Sequence, residues 1–425
     1  MKVLGLVVEY NPFHNGHLYH IKEAKKITGA EYVVCVMSGN FIQRGEPAIV
    51  NKWARTKMAL LGGADLVIEL PVPYALASAE YFAYGAVKIL NDIGITDYLC
   101  FGSETGKIKP LDDIAGILCD EPLLYKSLLK NELKKGLSYP AAKNFALLKY
   151  FHAEKELYKN IDKFYKGIDN LLDKSNNILG IEYLKALKRL NSKIVPFTIK
   201  RINNDYNTEK ITGSISSATA IRKHLLNTQD FSLQNISETL PKSSFKILDE
   251  EFSNGRGPVF ASCFYPVISA LIRKMPANYI KETAYVQEGL ENRIKRAADN
   301  TGTYNELVGK ICTKRYTITR VQRILMSIMI GITSNDIKNF IQFGPQYARI
   351  LGFNESGKYL MSLIKKKSSI PLIQKTANFK NYCNPLLKRM LELESISTDL
   401  YVLGYKNPEY KKAGQEFTQK IIKIE

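Results

Sequence analysis

Residues 3–17 constrain this chain more than any other stretch. Residues 3–8 are β-branched residues and leucine around one glycine, and they read as a buried strand. A turn at Asn11-Pro12 follows, then His14-Asn15-Gly16-His17, and residues 18–28 carry helical periodicity with lysines toward their end. A strand that runs through a tight turn into a helix is the opening unit of a parallel sheet. It puts two imidazoles and a helix N-terminus at the carboxyl end of the first strand, where open parallel sheets bind their ligands. The free N–H groups of a helix start attract anions, and imidazole N–H groups can donate to phosphate oxygens. Two surface histidines at an ordinary helix start are the bland reading. Three of the five histidines, His14, His17 and His20, fall within seven residues, and that clustering favours a phosphate site.

The same strand–helix rhythm continues. Strands are expected at residues 32–37, 66–69 and 98–101, and helices at 52–62 and 79–93. This alternation indicates a Rossmann-like α/β domain built on a parallel sheet. The pattern then turns mainly helical over residues 111–172, read as a helical insertion at about 110–172. It returns through a helix at 181–190, a strand at 193–202 and a hydroxyl-capped helix start at 215–226. Residues 227–260 contain Asn, Ser, Gly and Pro and read as a linker. The chain from residue 263 on is mainly helical, with turns at Gly331, Gly344-Pro345 and Gly352. The expected division is therefore a nucleotide-binding domain over residues 1–230 and a mainly α-helical domain over 231–425.

Charge separates the two portions. Residues 231–425 hold 29 Lys and Arg against 17 Asp and Glu, whereas residues 1–230 hold 31 against 24. The second portion carries most of the net charge of +19, which favours a polyanionic partner, nucleic acid first. A lysine-rich proteome would give the same excess. No apolar run is long enough to span a bilayer, and Met1-Lys2 leads straight into a strand, so neither a membrane span nor a signal peptide is expected and the chain reads as cytoplasmic. The six cysteines are scattered without a C-x-x-C pair, so no metal site is expected from them, and Cys35 and Cys100 read as core residues. Trp53, the sole tryptophan, also reads as core rather than as a stacking platform.

Two further segments fit the first turn. Ser216, Ser217 and Thr219, with Arg222 one turn on, place three hydroxyls and a guanidinium at a helix start. An ordinary N-cap needs only one such hydroxyl. Phe101-Gly102-Ser103-Glu104 ends the fourth strand, and a glycine there lets an adenine or ribose approach the backbone. Residues 310–323 carry five Lys and Arg and no acid, followed by an apolar run. They read as a helix docked by its apolar side with the cations outward, suited to a nucleic acid backbone.

His14-Asn15-Gly16-His17 resembles the signature of the HIGH-type nucleotidyltransferase superfamily, which includes the class I aminoacyl-tRNA synthetases. The resemblance implies that these histidines hold ATP phosphates and stabilise charge on departing pyrophosphate. The segment 215–222 resembles the superfamily's second phosphate-binding motif, with one extra residue before Thr219. Longer stretches are similar to the bacterial tRNA(Met) cytidine acetate ligase family: residues 8–17, 36–48, 52–55, 63–71, 101–104, 176–180 and 314–323. That resemblance implies an ATP-dependent ligase. Acetate attacks the α-phosphate of ATP to give acetyl-adenylate and pyrophosphate, and the acetyl group passes to N4 of the wobble cytidine of elongator tRNA(Met). It implies an ATP site lined by Val7, Val8, Glu9, Tyr10, Asn11, Pro12, Phe13, His14, Asn15, Gly16, His17, Leu18, Tyr19 and His20. Gly102, Asn177 (with Asn176 the alternative) and Arg201 complete the site, and Ser216, Ser217, Thr219 and Arg222 bind phosphate. His14 and His17 are the catalytic pair, and Mg2+ accompanies the nucleotide. Lys314, Arg315, Arg320 and Arg323 are expected to bind tRNA.

The chemistry agrees with the resemblance. Carboxylates do not acylate amines in water, so acetate needs activation, and no Ser-His-Asp triad or nucleophilic cysteine points to a covalent enzyme intermediate. Catalysis would rest on positioning and phosphate electrostatics. Two other readings stay open: a small-molecule adenylyltransferase, which needs no basic helical portion, and a non-catalytic RNA-binding protein that retains an ATP-binding fold.

Overall fold

The computed structural model describes residues 1–137, 139–154, 172, 174–201, 216–227, 233–377 and 379–425. Its strands are β1 (Val3–Val8), β2 (Tyr32–Ser38), β3 (Phe41–Ile42), β4 (Glu46–Pro47), β5 (Leu66–Leu70), β6 (Tyr98–Ser103), β7 (Val195–Lys200), β8 (Ala348–Phe353), β9 (Leu372–Ile373) and β10 (Ile422–Lys423). Five of them lie parallel in the order β5-β2-β1-β6-β7. The order reverses direction between β1 and β6, and the carboxyl ends of these two neighbours frame the crevice where such sheets bind ligands.

Both faces of the sheet are covered, so its strands are apolar without alternation. Val3, Val34, Val36, Leu66, Ile68 and Leu99 pack toward one core, with residues of the helices Ala79–Asp92, Ser175–Arg189 and Ile318–Ile330. Leu4, Leu6, Val8, Val33, Cys35, Met37 and Val67 pack toward the other, with residues of the helices Asn15–Thr28, Lys52–Leu61, Ala218–Asn227 and Lys242–Ser253. Trp53 and both strand cysteines are buried, as expected.

The second portion of the chain joins the same sheet. β8 pairs antiparallel with β5, and β9 and β10 pair in parallel with β8. The turn expected at Gly352 is therefore a strand position. An added Cβ there would lie 2.6 Å from Thr56, so a side chain does not fit against the helix Lys52–Leu61. The mainly helical stretch 231–425 thus carries three strands of the main sheet, and strands from both sides of residue 230 share one core.

The expected linker also changes character. Residues 234–239 form a 3-10 turn and Lys242–Ser253 a helix, and Ile236, Leu240, Ile247 and Leu248 are buried in the core. Some of its polar residues are buried as well: Thr239, Ser244 and Glu251. In the region read as a helical insertion, helices run over Ile108–Asp120, Leu123–Lys134 and Tyr139–Ala153, while residues 155–171 lie outside the described residues.

The two portions meet at a buried ionic cluster. Lys52 Nζ, fully buried, lies 2.6 Å from Glu69, 3.3 Å from Glu394 and 2.9 Å from Glu416. Arg349 on β8 donates to Glu69 at 2.8 Å and also pairs with Glu416. Three carboxylates against two cations leave room for one proton. Burial and the neighbouring Glu69 push the Glu394 carboxyl up to about 8.

Candidate active site

The helix Asn15–Thr28 starts with an unusual cap. His14 occupies the N-cap position, and its Nδ1 accepts the Gly16 N–H at 3.0 Å. His17 Nδ1 accepts the His14 N–H at 3.3 Å, which closes a capping box made of two imidazoles. The rings stack with centroids 3.7 Å apart. Each Nδ1 is an acceptor, so each neutral ring carries its proton on Nε2 and presents a donor. Burial, helped by Arg201 and Arg222, lowers His14 to about 3. Burial, His14 and Arg201 hold His17 well below its usual value, and burial and Arg201 lower His20 to about 4. The three rings are thus neutral near pH 7. No acidic side chain sits in the first helical turn, so the positive helix end stays open to an anion.

Tyr10 shapes the approach. Its backbone sits at φ 48°, in the left-handed region, and its ring meets Phe13 and His17 edge-on. Arg55, fully buried, ties this turn to β2. It donates to Glu9 O at 2.7 Å, Ser38 O at 3.0 Å and Val50 O at 3.2 Å, and also to Gly39 O.

The helix Ala218–Asn227 faces this turn. Ser217 Oγ accepts the Ala220 N–H at 3.1 Å and so serves as its cap. Arg222 donates to Asn11 O at 2.9 Å, which joins the two segments directly. Ser216 Oγ, Asn11 Nδ2 and His20 Nε2 are buried without a hydrogen-bond partner among the described residues. Orphaned polar atoms of this kind fit a missing polar ligand, and a triphosphate has the acceptor oxygens to match the donors.

These groups line one cavity of ≈ 530 Å3 at the carboxyl ends of β1, β6 and β7. Of the expected site residues, Val7, Val8, Glu9, Tyr10, Asn11, His14, Gly16, His17, Tyr19, His20, Gly102, Arg201, Ser216, Ser217, Thr219 and Arg222 line it. Pro12, Phe13, Asn15, Leu18 and Asn177 do not. Phe13 packs in the core, and Asn15 donates to Glu238 O at 2.8 Å. Asn177 is buried, and its Oδ1 accepts the N–H groups of Glu104 and Thr105 at 3.0 and 3.3 Å. Asn176 is the neighbour that faces the cavity, where Arg201 donates to its Oδ1 at 3.0 Å. Consecutive helical residues point ~100° apart, and here the phase of the helix puts Asn176 toward the cavity and Asn177 on the Glu104–Thr105 backbone. An added Cβ on Gly102 would lie 3.2 Å from Arg201 Cγ, so this glycine lets Arg201 lie against the strand end.

The cavity has an apolar wall of Phe82, Phe101, Ile178, Leu179, Tyr183 and Ile199. It also takes in Gln43 and Arg44, which carry no role in the sequence analysis, and Thr319 from the second portion of the chain. Gln43 and Arg44 sit in the turn of the β3–β4 hairpin that follows β2, the immediate neighbour of β1, and that closeness to the carboxyl end of β1 is the signal that could have found them.

The expected basic helix is two elements. Tyr304–Ile311 and Ile318–Ile330 are helices, and residues 312–317 turn between them. Lys314 and Arg315 are exposed on that turn, and Arg315 pairs with Glu288. Arg320 lies over the Tyr316 ring at 4.7 Å and donates to Tyr285 O at 3.2 Å. Arg323 turns inward and donates to Gln43 O at 3.3 Å. Gly45 permits this approach: at φ 80° it lies so close that an added Cβ would come within 2.3 Å of the Arg323 backbone nitrogen. The four cations therefore do not form one outward stripe.

Comparison with known proteins accords with this geometry. Residues 1–416 match the family model described as HIGH Nucleotidyl Transferase. The chain is similar to the tRNA(Met) cytidine acetate ligase of Acetivibrio thermocellus, with 65% identity across 99% of this chain and 100% of that one. It is also similar to the ligase of the same name from Halothermothrix orenii, with 44% identity over the full length of both. Among solved structures it is similar to Thermotoga maritima TmcAL bound with alpha-thio ATP, at a TM-score of 0.90 and 35% identity. The apo form of that protein gives 0.93 and 36%, and both comparisons cover the whole of each chain.

Proposed function

We propose a function from one premise: the chain belongs to the HIGH nucleotidyl transferases and, within them, to the tRNA(Met) cytidine acetate ligase family. In this reading it forms acetyl-adenylate and pyrophosphate from acetate and ATP, then acetylates N4 of the wobble cytidine of elongator tRNA(Met). The observation that carries it is the convergence of two helix starts, three neutral imidazoles and the Arg201 and Arg222 side chains on one cavity.

ATP lies with its triphosphate between the His14–His17 cap and the Ser216–Arg222 segment, and its adenine against the apolar wall beside Gly102. Attack by acetate at the α-phosphorus moves charge onto the leaving pyrophosphate. The Nε2–H groups of His14 and His17 stabilise that charge, and fixed donors of this kind contribute ~10²–10³ in rate. Neutral imidazoles donate without pulling water into the site. Mg2+ would come with the nucleotide and neutralise charge on the triphosphate; no cluster of three or more His, Cys, Asp or Glu among the described residues would hold it on its own. Asn176 takes the nucleotide role expected of Asn177.

Residues 1–230 supply this chemistry. Residues 231–425 bind tRNA, with Lys314 and Arg315 on the phosphate backbone and Arg320 and Arg323 nearer the reaction cavity. No helix among the described residues is long and apolar enough to cross a membrane, and a tRNA-modifying reaction places the protein in the cytoplasm. The test is to incubate the protein with ATP, labelled acetate and total tRNA, digest the RNA and look for labelled N4-acetylcytidine. Label in that nucleoside, dependent on ATP and acetate, is the expected result. Adenylylation of a small molecule with no label in tRNA would reject the acceptor assignment.

A further inference from the structure

We propose that Glu9 is the general base of the transfer step and takes the proton of the cytidine amine as that nitrogen attacks the acetyl-adenylate. The proposal rests on the function read above and assigns the proton acceptor that it lacks.

Glu9 is the only carboxylate that lines the cavity among the described residues. Its Oε1 accepts the Gln43 N–H at 2.8 Å, and its Oε2 takes no hydrogen bond among the described residues. The histidine pair cannot do this work. His14 and His17 use Nδ1 as helix caps, so their Nε2 atoms already carry protons.

Position agrees with chemistry. His14 and His17 stand on the helix Asn15–Thr28. Glu9 is held instead by Gln43, whose carbonyl is held by Arg323 at 3.3 Å, and Thr319 of the same helix reaches the cavity. The carboxylate thus lies on the side to which the basic portion of the chain contributes, where a tRNA-borne base would enter. Arg222, Arg44 and Arg55 face Glu9, as does Tyr183. Burial nevertheless outweighs the arginines and the Gln43 N–H, and pushes the carboxyl above its ordinary range. A base poised nearer neutral pH is better matched to proton removal.

The step balances. The amine nitrogen bonds to the acetyl carbonyl carbon. The bond from that carbon to the AMP phosphate oxygen breaks, and its electron pair leaves on AMP. The amine proton moves to a Glu9 oxygen and then to water.

Chemically prepared acetyl-adenylate bypasses the first half-reaction. Mixed with enzyme and tRNA, it gives a single-turnover transfer rate that can be followed from pH 5 to 9. Wild-type transfer should fall on the acid side as Glu9 is protonated. Glu9→Gln should be slower by ~10²–10⁴-fold and lack that acid limb. Its amide oxygen still accepts the Gln43 N–H, so a purely structural Glu9 predicts an unchanged pH profile. Transfer by Glu9→Gln within threefold of wild type, with the limb intact, overturns the assignment. Glu9→Asp keeps the charge and should keep the limb at a reduced plateau; a flat profile overturns the assignment as well. Wild-type protein that transfers nothing to tRNA refutes the proposed function itself, whereas wild-type transfer with an unaffected Glu9→Gln refutes only the role of Glu9.

Discussion

The two ring nitrogens of His14 are differently placed. Nδ1 caps a helix, and in the proposed function Nε2 serves the ligand. Substitution separates the two. An asparagine at position 14 can still cap the helix but is too short to replace Nε2–H. His14→Asn should therefore melt close to wild type while acetate-dependent pyrophosphate release falls ~10²–10³-fold. His14→Ala should lose a further ~1 kcal/mol of stability with the cap. Equal melting of the two variants would separate the cap from stability, and retained pyrophosphate release would reject the phosphate role. The three imidazoles also make binding pH-linked. They are neutral because burial depresses them, to about 3 at His14 and about 4 at His20. A triphosphate beside them favours the charged form and raises those values. A shift of ~1–3 leaves the rings neutral from pH 7 to 8, so binding should take up protons only as pH falls toward 5. Titration calorimetry at pH 5 in two buffers of different ionisation enthalpy reads the uptake directly, and identical heats in both would contradict it.

At the scale of elements, the turn over residues 312–317 separates cations of different roles. Arg315 is exposed beside Glu288, while Arg323 is bonded to Gln43. Arg315→Ala should lower the salt dependence of tRNA binding by ~1 in log–log slope, the signature of one lost phosphate contact. Filter binding across a salt series measures it, and an unchanged slope removes Arg315 from the interface. The same turn shows where sequence reading stops. Residues 310–323 have the composition of one basic helix, but composition does not mark the break. Tyr316 anchors the turn: its hydroxyl donates to Gln287 O at 2.9 Å, on a loop distant in sequence, and Arg320 of the next helix stacks on its ring. The first turn and the 216–222 helix start were legible because their signals are local: strand, turn, cap and periodicity. Asn176 was not separable from Asn177 because the phase of a helix against a cavity depends on its packing. β8 was hidden as a short, mostly apolar segment between helices, interrupted by Arg349, which periodicity alone does not distinguish from a helical segment.

Across the whole molecule, the Lys52 cluster joins residues from both portions of the chain. Its pH behaviour has a definite sign. Glu394 is raised from 4.5 to about 8 when folded, so the folded state holds this proton more tightly than the unfolded chain does. The stability it contributes is complete below about 4.5 and is lost as pH rises toward about 8. Glu394→Gln carries a permanently neutral group and should flatten this fall. Urea unfolding of both proteins at pH 5, 6, 7 and 8 compares them, and parallel curves would remove Glu394 as the proton holder.

The sheet also dictates an order of events during synthesis. β5 leaves the ribosome roughly 280 residues before β8, its neighbour in the finished sheet. At ~5–20 residues per second, that is about 15–60 s with one sheet edge unpaired. Lys52 and Glu69 wait over the same interval for Arg349, and longer for Glu394 and Glu416. A nascent chain of this length presents an open apolar strand and an unfinished buried charge pair together, the edge at which wrong pairing begins. The portion proposed to grip phosphate is made first and completed last.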